Sequence, residues 1–168
     1  MASRELDLHG ALAGLGISFT VHEHEAVFTV AESDDLHRRI AGAHTKNLFL
    51  KDEAGVFFLV TIPAEARANL KALPAVLGSR RLSFGKADDM ERLLGITPGS
   101  VTPLAAFNDT ARAVTVALDA GLAGAEAVNV HPLRNTATVG MSGPDLVRAL
   151  IAWGHAPIIA RIPVLEDK

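Results

Sequence analysis

Three short segments of this sequence carry polar residues that could bind a phosphate or take part in ester hydrolysis. Lys46 and Asn47 open a run whose apolar pattern otherwise predicts a buried β-strand. Residues 99–103 form a glycine-to-proline loop, and residues 128–131 form a short strand that ends on His131. A lysine ammonium can pair with a phosphate, and successive N–H groups in a glycine-containing turn can stabilise an oxyanion. These segments are the candidate site.

Each segment taken alone also has a purely structural explanation. A lysine at the start of a strand can simply face solvent, and an asparagine at a strand edge can bind the backbone. The Pro98-Gly99 pair is an ordinary turn signal, and a histidine before a proline is often a structural residue. No single motif therefore decides whether its residues have a functional or a structural role.

The composition limits the class of protein. The 168 residues are predicted to form one domain, residues 1–168, which is long enough to bury a core without metals or disulfides. The absence of cysteine excludes a disulfide framework, a thiolate nucleophile and a cysteine-ligated zinc site. The N-terminal residues mix charges, and no apolar run approaches the roughly 20 residues that span a bilayer. A cytoplasmic protein with no membrane association is expected.

The net charge argues against an extended nucleic-acid interface. Proteins that neutralise many phosphates usually present a basic face, whereas this chain has a formal net charge of −3. Any contact with RNA is therefore expected to be small and to depend on local basic groups.

Local patterns predict many short strands with helices grouped between them. The clearest prediction is an antiparallel hairpin, because residues 52–55 separate two apolar runs. This arrangement favours an α+β fold over a repeating βαβ array. Helices are predicted over about 3–15, from Ser33 as N-cap, over 68–77 with an interruption at Pro74, over 87–94 and from Ser142 to Gly154. Strands are predicted over 18–22, 47–51, 56–61, 101–106, 113–118, 127–130, 136–140 and 157–162, and residues 80–84 are predicted to be a short strand or an extended connection.

Other chemistries find weaker support in the sequence. His22 and His24 share one strand face and could begin a zinc site, but no motif fixes a third ligand, although His37 and His44 are available. A serine triad built from Ser100 and His131 with Asp109 or Asp145 lacks the Gly-x-Ser-x-Gly turn. The glycine-rich residues 10–16 lack a P-loop lysine.

The order of the three segments resembles the family of YbaK proteins and prolyl-tRNA synthetase editing domains. That family carries Lys-Asn on a strand, a Gly-x-x-x-Pro loop and a late strand histidine, which correspond here to Lys46-Asn47, residues 99–103 and His131. Residues 24–32 look like the family's early strand and the start of its second helix. The likeness covers nearly the whole chain and is strongest to freestanding members that remove alanine from mischarged proline tRNA.

The resemblance implies a fold, a reaction and a set of site residues. The fold is a mixed, mostly antiparallel, barrel-like sheet flanked by helices. The reaction is substrate-assisted ester hydrolysis, in which a ribose hydroxyl helps to place the attacking water, with no cofactor and no metal. The implied catalytic residues are Lys46, Asn47, Gly99 and His131, and the implied substrate-binding residues are Ser100, Val101, Thr102 and Pro103.

The expected partner is the acceptor end of proline tRNA with its amino acid. A transient association with prolyl-tRNA synthetase and a monomeric state are also expected. Arginine can pair with phosphate or read a guanine edge, so Arg80 and Arg81, beside Lys86, are candidates for contacting the first base pair or the discriminator base. Arg38 and Arg39 form a second candidate pair.

Three functions remain open on the sequence. The first is a trans-acting deacylase for alanine on proline tRNA. The second is a cysteine- or serine-selective deacylase of the same fold. The third is a module that binds a tRNA end or an aminoacyl group without hydrolysing it.

Overall fold

The computed structural model describes residues 2–26 and 30–165. Residues 27–29, within the segment expected to join an early strand to the second helix, lie outside the described residues. The helices are α1 (Ala2–Gly14), α2 (Val30–Arg39), α3 (Leu73–Leu77), α4 (Ala87–Leu94), α5 (Ala120–Ala123) and α6 (Gly143–Ala152). The strands are β1 (Thr20–Glu23), β2 (Ala43–Asp52), β3 (Phe57–Pro63), β4 (Leu82–Phe84), β5 (Val114–Asp119), β6 (Val128–Val130), β7 (Ala137–Met141) and β8 (Ile158–Ala160).

The predicted hairpin is confirmed as the β2–β3 pair. Its antiparallel register joins Thr45 to Pro63 at one end and Lys51 to Phe57 at the other. The turn is fixed by Asp52, whose Oδ1 accepts hydrogen bonds from two backbone N–H groups of the turn at 3.0 and 2.9 Å. Gly55 has φ +87°, a conformation that few other residues adopt.

The strands form one mixed sheet, which confirms the α+β prediction. Its order is β1-β7-β6-β2-β3-β5-β8, and β4 pairs with the last residues of β2. Three neighbouring pairs are parallel, namely β2 with β6, β3 with β5, and β5 with β8. The described antiparallel pairs are β1–β7, β2–β3, β2–β4 and β6–β7. Helices flank this sheet.

One half of the sheet has an apolar face and a polar face. Along β6, Val128 and Val130 are buried in the core, while Asn129 and His131 alternate with them. The apolar face packs against α1 and α6. Burying one large aliphatic side chain contributes about 1.5–3 kcal/mol, so this layer anchors the strands firmly. The leucines that cover this face are Leu8, Leu12, Leu146 and Leu150, each fully buried. The polar face is consequently left for other contacts.

The predicted strand over 101–106 is wrong. The chain instead forms two 3₁₀ turns, η1 (Pro98–Ser100) and η2 (Pro103–Asn108). Thr102 caps the second turn, since its side-chain oxygen accepts a hydrogen bond from the Leu104 N–H at 3.2 Å. Pro103 has no N–H to give to a strand ladder but suits the first position of a helical turn. The apolar composition of this segment therefore reflects burial and not strand pairing.

Two predicted helix features are also corrected. Pro74 lies at the start of α3 and does not interrupt a longer helix, so the predicted helix over 68–77 is reduced to Leu73–Leu77. Ser33 lies inside α2, which begins at Val30, and is therefore not its N-cap. In contrast, the predicted helix start at Ser142 is accurate to one residue, since α6 begins at Gly143. Ser142 is its N-cap and accepts a hydrogen bond from the Asp145 N–H at 3.1 Å. Within the described residues, no helix combines the length and the apolar character needed to span a membrane.

Candidate active site

A cleft of about 470 Å³ lies between α2 and the polar face of the sheet. Helix α2 contributes His37 to its wall, and strand β2 contributes Lys46. The strand ends of β6 and β7 contribute His131 and Thr138. Two of the three predicted site segments, those with Lys46 and His131, therefore meet in one cavity.

The parallel pairing of β2 with β6 explains why these two segments meet. His44 pairs with Asn129, and both chains continue in the same direction. Lys46 and His131 follow two residues later on these neighbouring chains, just beyond the paired register, and both line the cleft. The Thr45 hydroxyl donates a hydrogen bond to the Asn129 carbonyl at 2.7 Å and fixes this junction.

Lys46 is partly buried at the cleft and is available for an anion. In the described part of the chain it forms no ion pair with a carboxylate. The same cleft is lined by Asp34 and Glu65 on other walls. A cation and two carboxylates around one cavity can orient a substrate that carries both charges.

His131 is held as a neutral imidazole. Burial lowers its pKa, an effect that the hydrogen bond to the Ala137 carbonyl partly opposes and the nearby His24 reinforces. Nδ1 lies 3.1 Å from that carbonyl oxygen. Because a carbonyl can only accept, Nδ1 carries the proton, and Nε2 of the neutral ring is an acceptor.

The Arg134 guanidinium anchors the turn that follows His131 through ion pairs and hydrogen bonds. Arg134 donates hydrogen bonds to Glu5 on α1, to Glu23 on β1 and to the Thr136 hydroxyl within the turn. The hydrogen bond from Arg134 holds the pKa of the Glu23 carboxyl below its usual value, so the pair stays ionised at neutral pH. Three elements are thus joined beside the cleft.

Asn47 faces away from Lys46, as neighbouring strand residues do. Its Nδ2 donates to the Val101 carbonyl at 3.1 Å, and its Oδ1 accepts from the Thr61 hydroxyl at 2.6 Å. The amide thus ties β2 to β3 and to the loop at 98–103. The expected contact of Asn47 with substrate stays a prediction, and its observed contacts are structural.

The loop at 99–103 is absent from the residues that line the cleft. Gly99 is exposed, and a Cβ on it would lie 3.3 Å from Asn135 Nδ2 in the turn after His131. The Ser100 N–H donates to the Thr97 carbonyl at 2.9 Å and is therefore already used within the loop. The catalytic and substrate-binding roles of the loop remain predictions; its other members are buried Ser100, partly buried Val101, and buried Thr102 and Pro103.

The two candidate basic groups lie toward opposite ends of β2. Arg80 and Arg81 are exposed beside its C-terminal end, where the Glu53 N–H donates to the Arg81 carbonyl at 3.1 Å. Arg38 and Arg39 are exposed at the end of α2, just before β2 begins. Both are ion-paired with Asp35, at 3.9 and 3.2 Å respectively. Lys86, also exposed, precedes α4.

The side chains needed for a serine triad or a zinc site do not come together in the described part of the chain. Asp109 pairs with His155 at 3.0 Å in the core, and Asp145 pairs with Arg148, so neither joins a triad with Ser100. His24 binds the Thr138 hydroxyl at 2.8 Å. Among residues 2–26 and 30–165, no group of three or more His, Cys, Asp or Glu side chains is arranged to hold a metal ion.

The sequence interpretation missed several residues of the cleft. Asn129 and Thr138 could have been found from the period-2 alternation of polar residues on β6 and β7, since they share a face with His131. His37 and His44, whose rings stack with centroids 4.0 Å apart, lie on a helix and a strand. No local pattern indicates that this helix packs over that strand.

Comparison with known proteins identifies the family. Residues 24–149 match the aminoacyl-tRNA editing domain, a span that contains Lys46, the 99–103 loop and His131. The chain belongs to the aminoacyl-tRNA editing domain family. The editing-domain assignment covers the whole of the cleft described above, from Ser33 to Thr138.

Individual relatives of this editing domain carry related names. The chain is 36% identical over 142 residues to the prolyl-tRNA editing protein ProX of Acetoanaerobium sticklandii, covering 84% of this chain and 87% of that protein. It is 39% identical over 165 residues to the prolyl-tRNA synthetase associated domain-containing protein 1 of Mus musculus, covering 95% and 98%. A crystal structure described as a proposed trans-editing enzyme for prolyl tRNA synthetase shares the fold, with a TM-score of 0.70, 20% identity and 98% coverage of both chains.

Proposed function

We propose that this protein is a trans-acting deacylase that hydrolyses alanine from mischarged proline tRNA. The observation that carries the proposal is that Lys46 and a neutral His131 line the same cleft of an editing domain. The names of the relatives, prolyl-tRNA editing protein and prolyl-tRNA synthetase associated protein, support proline tRNA as the carrier. The partner is the acceptor end of that tRNA, met in the cytoplasm during a transient association with prolyl-tRNA synthetase.

The chemistry is the addition of water to an ester carbonyl. The Lys46 ammonium binds the terminal phosphate or ribose and holds the ester in the cleft. A ribose hydroxyl of the substrate helps to place the water, and His131 Nε2 offers a hydrogen-bond acceptor in the same cleft. The ester C–O bond breaks, the ribose oxygen takes a proton, and a free amino acid and an uncharged tRNA leave. No protein nucleophile is needed.

Selection for alanine follows from the size of the acyl group. A small pocket can reject a bulkier acyl group by steric clash, whereas a missing methylene changes discrimination by only about 1–3 kcal/mol. Proline on its own tRNA is therefore expected to be spared because it does not fit productively.

A deacylation panel tests this proposal. Proline tRNA is charged separately with alanine, serine, cysteine and proline, and ester loss is followed with and without the protein in the presence of a chelator. Selective loss of alanine is the expected result. Faster loss of serine or cysteine would move the specificity to a deacylase of the same fold, and binding without hydrolysis of any ester would reduce the protein to a binding module.

A further inference from the structure

The contacts of Asn129 leave one end of its amide unused. The residue is only 4% exposed, and its Nδ2 donates to the Ala41 carbonyl at 3.0 Å and toward the Ala43 carbonyl at 3.4 Å. Since carbonyl oxygens only accept, these bonds fix which end of the amide is nitrogen. The amide oxygen, Oδ1, accepts no hydrogen bond from any described residue. It is also not one of the fully buried atoms that lack a partner, so it remains accessible.

Gly140 keeps the space beside this oxygen open. It is the cross-strand partner of Asn129 on β7. A Cβ at this position would lie 3.1 Å from Asn129 Oδ1 and 2.9 Å from the Thr20 hydroxyl. Any larger residue would therefore crowd the acceptor, so the glycine preserves access to it.

The surroundings of Asn129 favour a cationic hydrogen-bond donor. His131, two residues along the same strand face, presents Nε2 as a second acceptor because its Nδ1 is bound to the Ala137 carbonyl. The carboxylates Asp34 and Glu65 line the same cleft. A protonated amine would find acceptors on the floor of the cleft and negative charge on its walls.

We propose that Asn129 Oδ1, together with His131 Nε2, binds the α-ammonium group of the aminoacyl ester. This inference rests on the proposed function and adds to it the substrate group that the cleft recognises. The protein then requires a free amino group on the acyl moiety. Esters of the same size without that group are poor substrates, whatever their fit to the pocket.

A matched pair of esters tests the requirement. Nitrous acid converts alanyl-tRNA to lactyl-tRNA, which replaces the ammonium with a hydroxyl of similar size. Each rate is divided by the uncatalysed rate of the same ester, because the ammonium also activates the ester chemically. We expect the normalised kcat/KM for the lactyl ester to be at least tenfold lower. Equal normalised values would overturn the inference while leaving the deacylase proposal intact.

Two variants show whether Asn129 is responsible for the difference. Asn129→Ala removes the acceptor, and Gly140→Ala covers it while leaving the bonds to Ala41 and Ala43 in place. Both should reduce the alanyl-to-lactyl ratio toward one. A purely structural defect would instead lower both substrates equally and preserve the ratio. Gly10→Ala is the control, since a Cβ there meets nothing within 4 Å.

A binding measurement keeps the inference testable without turnover. Amide analogues, 3′-alanylamino- and 3′-lactylamino-3′-deoxyadenosine on a short proline acceptor helix, cannot be hydrolysed as esters. The alanyl analogue should bind at least tenfold more tightly at pH 7. Tighter binding with no ester hydrolysis would retain the ammonium site and remove the deacylase, whereas equal binding would remove the ammonium site.

Discussion

At the scale of single residues, the cleft brings together a lysine side chain and a neutral imidazole. Lys46 lies at the cleft without a carboxylate partner among the described residues. His131 is buried deeply enough for desolvation to lower its pKa. In the proposed function, the Lys46 cation would bind a phosphate of the substrate and the neutral His131 would accept a proton or a hydrogen bond from it.

Lys46→Ala should lower kcat/KM for alanyl-tRNA by roughly 10- to 100-fold, the effect of losing one charge-assisted contact of about 1.5–3 kcal/mol. The melting temperature should change little because Lys46 forms no described ion pair. Lys71→Ala, at an exposed lysine away from the cleft lining, is the matched control. Full activity of a folded Lys46→Ala protein would remove this lysine from the site.

The pH dependence of hydrolysis should report on His131. Its pKa lies below the ordinary value of 6.5 because of burial, so the ring stays neutral as the pH falls through that value. We expect kcat/KM, corrected for background hydrolysis, to fall with a midpoint below 6.5, and His131→Gln to remove this acid limb. Stability should also decline as the pH falls from about 6.5 toward the lowered pKa, since the unfolded state binds the proton first. A midpoint at or above 6.5 would contradict this role.

At the scale of elements, strand β2 connects the cleft to the rest of the fold. Lys46 faces the cleft, whereas Asn47 faces Thr61 on β3 and the Val101 carbonyl in the loop. Thr61 is completely buried, so its hydroxyl has no water to replace this partner. The Thr61-Asn47-Val101 chain therefore positions β2, and with it Lys46, relative to the 98–103 loop.

Thr61→Val tests this chain because it removes the hydroxyl and preserves the shape of the side chain. We expect a loss of about 1–3 kcal/mol in the free energy of unfolding, since Asn47 Oδ1 is left without its donor. A lower kcat with little change in KM should accompany it if the chain positions the site. Thr61→Ser retains the hydroxyl and should recover both properties. Unchanged kcat in a destabilised Thr61→Val protein would limit the chain to a folding role.

At the scale of the whole molecule, two basic groups offer alternative paths for the RNA. Lys46 and Asp52 are six residues apart on β2, which corresponds to roughly 20 Å. The Arg80-Arg81 pair lies beside Asp52, and the Arg38-Arg39 pair lies before Ala43. The net charge of −3 argues against an RNA interface that covers a wide surface, so one group is expected to dominate.

Binding of uncharged proline tRNA at several salt concentrations distinguishes the two groups. Arg81→Ala should weaken binding and reduce the slope of log K against log salt by about one if that arginine contacts a phosphate. Arg39→Ala should have a smaller effect because its guanidinium is already paired with Asp35 at 3.2 Å. Arg148→Ala on α6, which packs on the opposite face of the sheet, is the control. The reverse ranking would assign the RNA path to the end of α2.

Local sequence was sufficient for the α+β class, the β2–β3 hairpin and the start of α6. Hairpin turns and helix starts depend on residues a few positions apart, so a short stretch of sequence contains all the residues that determine them. The 101–106 segment shows where a short stretch of sequence is not sufficient, because an apolar run is compatible with both a strand and a buried 3₁₀ turn.

The sequence by itself determined which residue types were available, namely Lys46, the 99–103 loop and His131, and its motif order indicated the family. Only the tertiary structure decided that Lys46 and His131 share a cleft while Asn47 turns to the other face of β2. The physical reason is the parallel pairing of β2 with β6, which joins segments about 85 residues apart in the chain, as in His44 with Asn129. No local preference encodes that pairing or the packing of α2 over it.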